Sequence, residues 1–261
     1  MENFPNQERN IEQDRHEFIK AIDSVVIEEI PAVFNNDANS SLRDSLDKTK
    51  LFILGETHGV KENVDIIYTL FKKFGFRQLA LEWDPDLQTI ARQYLETGEI
   101  DFEAIQDSPD GRITAGHFAL LKKLQNEGLL DKLVCFDSPQ ATTWNERDAN
   151  MAQNIVKNLS NYPTLVVAGK LHTKLKPLTF NDTSEVHYPM GLLVKDQIPD
   201  VSSGKIEYIT GEYHNYGTRN FFEDPEQEKV EPKFCITEDG LYTFVLPEAH
   251  TAIVPNPSER L

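Results

Sequence analysis

Ionisable side chains lie at the ends of four apolar runs in this chain. Glu56 and His58 follow the run LFIL, Glu82 ends QLALE, Asp137 follows LVCF, and His172 follows TLVVAG. In open parallel sheets, ligands bind just beyond the carboxyl ends of the strands. We therefore expect these carboxylates and imidazoles to meet at one edge of a sheet. An imidazole held by a carboxylate can take a proton from water, so the pattern indicates acid–base chemistry.

Each of these residues also has a simpler structural interpretation. A carboxylate after a strand can cap the next helix, which suits Asp137, and Asp148 is typical of an acid at a helix start. His117 fits a polar residue in a first helical turn, and His187 and His214 stand in no marked context. The joint pattern favours a site, because two histidines and two glutamates converge on one edge.

Arg147 and two glycines add to this candidate site. Arg147 lies in the first turn of a helix, where its charge opposes the helix dipole, yet there it can orient a carboxylate or bind a substrate oxyanion. Gly55 and Gly59 permit a tight turn, and the N–H groups after Gly59 are candidate oxyanion donors. No Gly-x-Ser-x-Gly elbow is present, so water is the expected nucleophile. The candidate catalytic residues are Glu56, His58, Glu82, Arg147 and His172.

Five short motifs follow one another in a recognisable order. They are GETHG, LEWD, FDSP, RDANMAQN and VVAGKLHT, within residues 50–173. This succession resembles the erythromycin esterase-like superfamily, together with the ChaN-like haem-uptake proteins and the Tiki (TraB) proteins. The resemblance implies an α/β sheet with the site at the strand ends, and it implies that His58 activates water for ester hydrolysis. The residues to which it gives supporting roles are Glu56, Glu82, His172 and Arg147.

The chain departs from the erythromycin esterases in two of these motifs. One residue separates Glu56 from His58, whereas the esterases usually have two residues there, and the shorter form is closer to the ChaN-like pattern. The last motif has one histidine, His172, where the esterases often have two. The chain also lacks room for a large helical insertion over a cleft, so the resemblance does not extend to a macrolide substrate.

Three functions fit these residues. The first is hydrolysis of an ester or related acyl bond by water that the His/Glu site activates. The second is a metal-dependent hydrolase, in which Glu56, His58, Glu82 and His172 would bind a divalent ion such as Zn²⁺ or Mn²⁺. The third is a ChaN-like module that binds haem or another small ligand without turnover, for which EYHNYG offers tyrosines and a histidine. The sequence leaves the choice, and the cofactor, open.

Short apolar runs alternate with helical patterns along the first two thirds of the chain. The spacing of apolar residues predicts a first helix over residues 11–30, and the stretch NNDANSS after it has the composition of a loop. Gly75 and Gly98 are typical of helix ends. Thr143 and Glu146 form a capping-box pattern that predicts a helix start.

This alternation predicts an α/β fold with a mostly parallel central sheet flanked by helices. The runs KIEYIT, KFCIT and LYTFVL predict further strands around a long loop at residues 211–229. We expect one domain in three parts. They are a helical segment of residues 1–45 packed on the core, an α/β core of residues 46–200 that carries the site, and a β-rich C-terminal extension of residues 201–261.

The amino-acid composition excludes some classes of binding partner for this protein. The 261 residues include 43 acidic and 26 basic side chains, and the net charge of −17 repels a nucleic-acid backbone. Cys135 and Cys235 form no zinc or disulfide pattern, and the polar N-terminus lacks the apolar core of a signal peptide. No apolar run approaches the length of a membrane span. We therefore expect a cytoplasmic protein whose partner is a small-molecule substrate or ligand, and neither nucleic acid nor a membrane.

Overall fold

A mostly parallel sheet forms the centre of the protein. The computed structural model describes residues 11–180, 185–221, 230–238 and 240–255. Within these ranges the strands are, in chain order, β1 (Val33–Phe34), β2 (Leu51–Glu56), β3 (Gln78–Leu81), β4 (Lys132–Cys135), β5 (Thr164–Gly169), β6 (Leu178–Thr179), β7 (Val186–His187), β8 (Ser202–His214), β9 (Thr218–Asn220), β10 (Lys233–Ile236) and β11 (Tyr242–Ala249). β6 and β7 pair with each other, and the other nine strands form the central sheet.

The order of the strands places the predicted site strands side by side. Across the sheet the order is β1-β10-β11-β8-β2-β5-β3-β4, with β9 paired to β8. Neighbours are antiparallel at β10–β11 and at β8–β9 and parallel elsewhere. The predicted α/β fold with a mostly parallel central sheet is confirmed.

Helices cover both faces of this sheet. In the described part of the chain they are α1 (Ile11–Ser24), α2 (Asn36–Thr49), α3 (Asn63–Phe74), α4 (Leu87–Thr97), α5 (Ala115–Asn126), α6 (Trp144–Asn158) and α7 (Met190–Gln197). Phe52 and Leu54 of β2 pack into a core with α1 to α5, and Leu51 and Ile53 into a core with α6 and α7. Burial on both faces explains why the strand runs are continuously apolar. None of these helices combines the length and the apolar composition that a membrane crossing requires.

The N-terminal segment differs from the prediction at two places. α1 ends at Ser24, short of residue 30, because the residues after it bond to α3 instead: the N–H of Ile30 donates to Oγ1 of Thr69. The stretch NNDANSS, predicted as a loop, begins α2. Asn35 caps that helix by accepting from the N–H of Asp37, so residues with the composition of a loop act here as a helix start.

The predicted helix boundaries are confirmed at three other places. Gly75 and Gly98 follow α3 and α4 in the left-handed conformation, with φ of 70° and 78°. Thr143 caps α6 by accepting from the N–H of Glu146. The carboxylate of Glu146 accepts from the N–H of Thr142 rather than from Thr143, so only one half of the capping box forms.

The C-terminal strands continue the central sheet. β8 pairs in parallel with β2, and β11 lies on the other side of β8. Part of the loop predicted at residues 211–229 is a hairpin instead, because β8 extends to His214 and pairs with β9. The remainder of that loop, residues 222–229, lies outside the described residues, as do residues 1–10 and 256–261 at the two ends.

Candidate active site

The carboxyl ends of four parallel strands bring the predicted side chains together. Glu56 ends β2, Glu82 follows β3, Asp137 follows β4, and His172 follows β5. Because β5 lies between β2 and β3, these ends are neighbours, and all four side chains are buried. With two further side chains they form what we name the strand-end cluster: Glu56, His58, Glu82, Asp137, Arg147 and His172.

Glu82 lies at the centre of the strand-end cluster. Its Oε1 accepts from Nη2 of Arg147 at 2.8 Å, and its Oε2 accepts from the N–H of Gly169 at 2.7 Å. The Nε2 atoms of His58 and His172 lie 3.6 and 3.7 Å from the same carboxylate. Burial acts to raise the pKa of Glu82, but the positive charges of the surrounding imidazoles and guanidinium groups outweigh burial and lower it to about 2. Glu82 is therefore a carboxylate at neutral pH.

His58 and Glu56 form a hydrogen-bonded pair at the end of β2. Nδ1 of His58 lies 3.0 Å from Oε1 of Glu56, and the imidazole side chain is 22% exposed whereas the carboxylate is buried. Burial acts to lower the pKa of His58, but the hydrogen bond to Glu56 and the charges of Glu82 and Glu56 outweigh it and raise the pKa above 6.5. A carboxylate that accepts from Nδ1 leaves Nε2 as the basic atom.

A small cavity beside His58 has room for one water molecule. Its volume is about 10 Å³, and its lining includes Glu56, His58, Glu82, Trp83, Arg112 and His117. Among the side chains that the structure describes, Oε2 of Glu56 is one of the few buried polar atoms without a hydrogen-bond partner in the protein. Buried carboxylate oxygens need a donor. The cavity therefore suits a water molecule that donates to Glu56 next to His58.

Two arginines hold the acidic side chains of the cluster in place. Nε and Nη2 of Arg147 donate to the two oxygens of Asp137 at 2.8 and 2.9 Å, which is the carboxylate-orienting role predicted from the sequence. Arg112, which the sequence reasoning missed, donates to Asp137 and to Asp110, in each case at 2.6 Å. In the sequence, Arg112 follows the turn-forming pair Asp110-Gly111. That pair predicts a turn but does not indicate a functional residue.

His172 is buried and is held by Asp148. Nδ1 of His172 lies 2.9 Å from Oδ1 of Asp148, and the indole of Trp144 stacks on the imidazole with ring centres 5.6 Å apart. Asp148 is fully buried and also accepts from the N–H of Met190, so its interpretation as a simple helix-start acid is wrong. His187, without marked context in the sequence, is buried beside the same carboxylate, with Nε2 3.5 Å from Oδ2.

His117 and the stretch EYHNYG also have buried positions. His117 does lie in the first turn of α5, as predicted, but it is buried, and its Nδ1 lies 2.8 Å from Oγ1 of Thr114. His214 of EYHNYG is buried at the end of β8, where its backbone pairs with Gly59, while Tyr216 is exposed. Haem binding by that stretch stays a prediction.

The backbone around Gly59 is partly used to hold neighbouring loops. The N–H of Gly59 donates to the carbonyl of Gly111 at 3.0 Å, and the N–H of Lys61 donates to the carbonyl of His250 at 2.8 Å. α3 begins only at Asn63. Lys61 is therefore engaged elsewhere, and oxyanion binding by the other N–H groups after Gly59 stays a prediction.

The four residues that the sequence suggested as ligands of a divalent metal do not form a suitable metal site. Glu82 lies between His58 and His172, but its Oε1 accepts from Arg147 at 2.8 Å, and Nη1 of Arg112 is 3.7 Å from it. Two guanidinium charges next to this carboxylate repel a cation at the same place. The donors are present, but the arginines already supply the positive charge that a metal would bring.

Gly59 is required for the turn that carries His58, and alanine there should destabilise the fold. Its φ is 73°, and a Cβ would overlap the backbone of His214. Gly75, with φ of 70° and no atom within 4 Å of a Cβ, is the matched control. We expect Gly75→Ala to cost about 1–2 kcal/mol for the left-handed backbone, and Gly59→Ala about 1–3 kcal/mol more for the overlap. Urea unfolding measures both variants, and equal losses would contradict the assigned packing.

Three solved structures are similar to this chain in fold. A mutant of erythromycin esterase EreC in its open conformation aligns with a TM-score of 0.60 and 11% identity, over 82% of this chain and 94% of its own. A Bacillus cereus protein aligns with a TM-score of 0.59 and 11% identity, over 95% of this chain and 100% of its own. A succinoglycan biosynthesis protein aligns with a TM-score of 0.57 and 11% identity, over 91% and 98%.

At this identity the similarity concerns the fold alone. No protein-family model matches the sequence, and a comparison with curated proteins finds no match. The resemblance predicted from the five motifs is confirmed at the level of the fold: this chain folds like erythromycin esterase EreC.

Proposed function

We propose that this protein hydrolyses an ester or related acyl bond, with His58 as the general base that activates water. The observation that carries the proposal is the His58–Glu56 pair, in which a buried carboxylate holds Nδ1 of a partly exposed imidazole at 3.0 Å. The same arrangement of carboxylate and imidazole serves the catalytic triads of acyl-transfer enzymes. The fold shared with erythromycin esterase EreC supports this class of reaction.

In the proposed reaction, neutral His58 takes a proton from water while the water oxygen adds to the substrate carbonyl carbon. Glu56 stabilises the imidazolium that forms. The imidazolium then gives its proton to the leaving alkoxide, and the tetrahedral intermediate breaks down to an acid and an alcohol. The water-sized cavity that Glu56 and His58 line is a suitable place for the water before attack.

The arginines supply fixed positive charge for the intermediate. The side chains of Arg112 and Arg147 are 29% and 24% exposed, and carboxylates hold both of them in place. Positive charge that is already oriented stabilises a developing oxyanion without reorganisation. His172 has a different role, because its side chain is 7% exposed and contacts Glu82. We assign it as a positioning residue for that carboxylate.

The pH dependence of hydrolysis tests the role of His58. Because only the neutral imidazole accepts a proton and its pKa is raised, kcat/KM should rise with pH through a midpoint above 6.5. Glu56→Gln removes a negative charge and the charge-assisted hydrogen bond, so it should move the midpoint to lower pH. Nitrophenyl esters of increasing acyl length, assayed across the range in which imidazole titrates, provide the measurement.

Three results, from the pH profile and from two further experiments, would overturn the proposal. Loss of activity on treatment with a chelator, with recovery on adding Zn²⁺ or Mn²⁺, would indicate the metal-dependent alternative. No turnover of any ester, together with an absorbance change on titration with haem, would indicate a ligand-binding module. A midpoint that does not move in Glu56→Gln would remove His58 from the role of base.

A further inference from the structure

Asp148, His172 and His187 form a buried group of potential metal ligands beside the strand-end cluster. They come from three separate elements: α6, the loop after β5, and β7. All three side chains are buried, and one ligand atom from each lies within 4.8 Å of the others. Among the described residues this is the one group of histidine, cysteine and carboxylate side chains with such spacing.

The spacing of these atoms is close to that of a tetrahedral metal site. Nδ1 of His172 lies 2.9 and 3.0 Å from the two oxygens of Asp148, and Nε2 of His187 lies 3.5 Å from Oδ2. Nitrogen and oxygen ligands at about 2.0–2.2 Å from a tetrahedral Zn²⁺ are roughly 3.3–3.6 Å apart. The edge between Asp148 and His187 has this length, the edge between Asp148 and His172 is a few tenths of an ångström shorter, and the atoms of the two imidazoles lie within 4.8 Å of each other.

His187 has a nitrogen that the protein leaves without a hydrogen bond. Its side chain is 3% exposed, and its Nε2 is among the few buried polar atoms of the described residues with no hydrogen-bond partner. A buried imidazole nitrogen that the protein leaves without a hydrogen bond can bind a metal.

Further groups surround the trio and hold its side chains in place. Asp148 also accepts from the N–H of Met190, and the other nitrogen of His172 lies 3.7 Å from Glu82 and 3.5 Å from Nη1 of Arg147. Such partners orient metal ligands in known sites. Trp144 covers both imidazoles, with ring centres 5.6 Å from His172 and 5.4 Å from His187. A cleft of about 500 Å³ lies beside the trio and is lined by His187 and Trp144.

We propose that Asp148, His172 and His187 bind one Zn²⁺ ion, with a water molecule from the cleft as fourth ligand. Two imidazoles and one carboxylate with an open position are a donor set that zinc proteins use. In the bound form the imidazole of His172 would be neutral and carry its proton on Nε2, and the ion would lie between Nδ1 and Asp148. The ion would join α6 to the strand pair β6–β7. The test of this proposal is binding of Zn²⁺ without substrate, so its outcome is separate from that of ester hydrolysis at His58.

Calorimetric titration with Zn²⁺ after chelator treatment tests the proposal. We expect one ion per chain and a higher unfolding temperature with the metal. His187→Gln should weaken binding by at least about 10-fold, since loss of a mere outer-shell partner already costs 10–100-fold. His187→Ala, with circular dichroism of both metal-free variants, shows that any loss is not caused by unfolding.

Two further variants separate this site from the strand-end cluster. His250→Gln removes an exposed imidazole that pairs with Glu62, and it should bind Zn²⁺ like the wild type. His58→Asn should also bind normally while it loses ester hydrolysis. Unchanged binding in both His187 variants, or no binding by the wild type, would overturn the proposal and leave a hydrogen-bonded carboxylate–imidazole cluster. Loss of binding in His58→Asn alone would overturn it in favour of the other ligand set.

Discussion

Replacing His58 with alanine should lower kcat/KM for ester hydrolysis by about 10²- to 10⁴-fold, the factor that a general base typically contributes. The imidazole is partly exposed, so its removal opens no large cavity in the core. Glu82, its neighbour, keeps the hydrogen bonds from Arg147 and from the N–H of Gly169. The measurement is the rate on the best ester of the panel, at the pH where the wild type is fastest.

Two companion variants make the His58 result specific. His58→Asn retains a side-chain N–H that can donate to Glu56 but has no basic nitrogen, so it should lose activity to the same extent and remain folded. His250→Asn changes an exposed imidazole whose Nδ1 lies 2.7 Å from Glu62, and it should keep wild-type rates. Full activity in both His58 variants would show that another group activates water.

Helix ends and helix starts could be predicted from the sequence wherever the backbone or capping preference of a single residue determined them. Gly75 and Gly98 occupy left-handed positions that other residues resist, and Thr143 offers an oxygen to an unpaired helix N–H. The same physics explains the error at NNDANSS. Asn35 suits a loop and a helix cap equally well, and the burial of Ala38, Leu42 and Leu46 against the rest of the protein favours the helix.

The topology of the sheet was enough to predict that the site residues converge, but it was not enough to predict their detailed contacts. Parallel strands must end at a common edge, so the placement of Glu56, Glu82 and His172 needed no knowledge of packing. Arg112 reaches Asp137 from a loop between two helices, and no pattern in the sequence specifies the path of such a loop. Asp148 and the histidines beside it also meet through long-range packing. Their role could therefore not be predicted from the sequence.

Arg147→Ala should lower the free energy of unfolding by about 3–5 kcal/mol, the cost of removing one partner from a buried ion pair. The guanidinium donates to Glu82 at 2.8 Å and to both oxygens of Asp137, and these two carboxylates are buried. Arg147 is one of the four positive groups that lower the pKa of Glu82 to about 2, so its loss raises that pKa and removes a hydrogen bond of 2.8 Å. Urea unfolding at neutral pH, followed by circular dichroism, gives the measurement.

Arg77→Ala is the matched control, because Arg77 also binds a carboxylate at two points, Asp131 at 2.7 and 2.6 Å, but does so at the surface. Water screens that pair, so its loss should be much smaller. In a Glu82→Gln background, Arg147→Ala should cost about 0.5–3 kcal/mol less, since one of the two carboxylates that Arg147 pairs with is then uncharged. Equal losses at both arginines, without coupling to Glu82, would mean that solvent reaches the cluster and screens it. The oriented charge assigned to Arg147 in catalysis would then be lost as well, because it depends on the same exclusion of water.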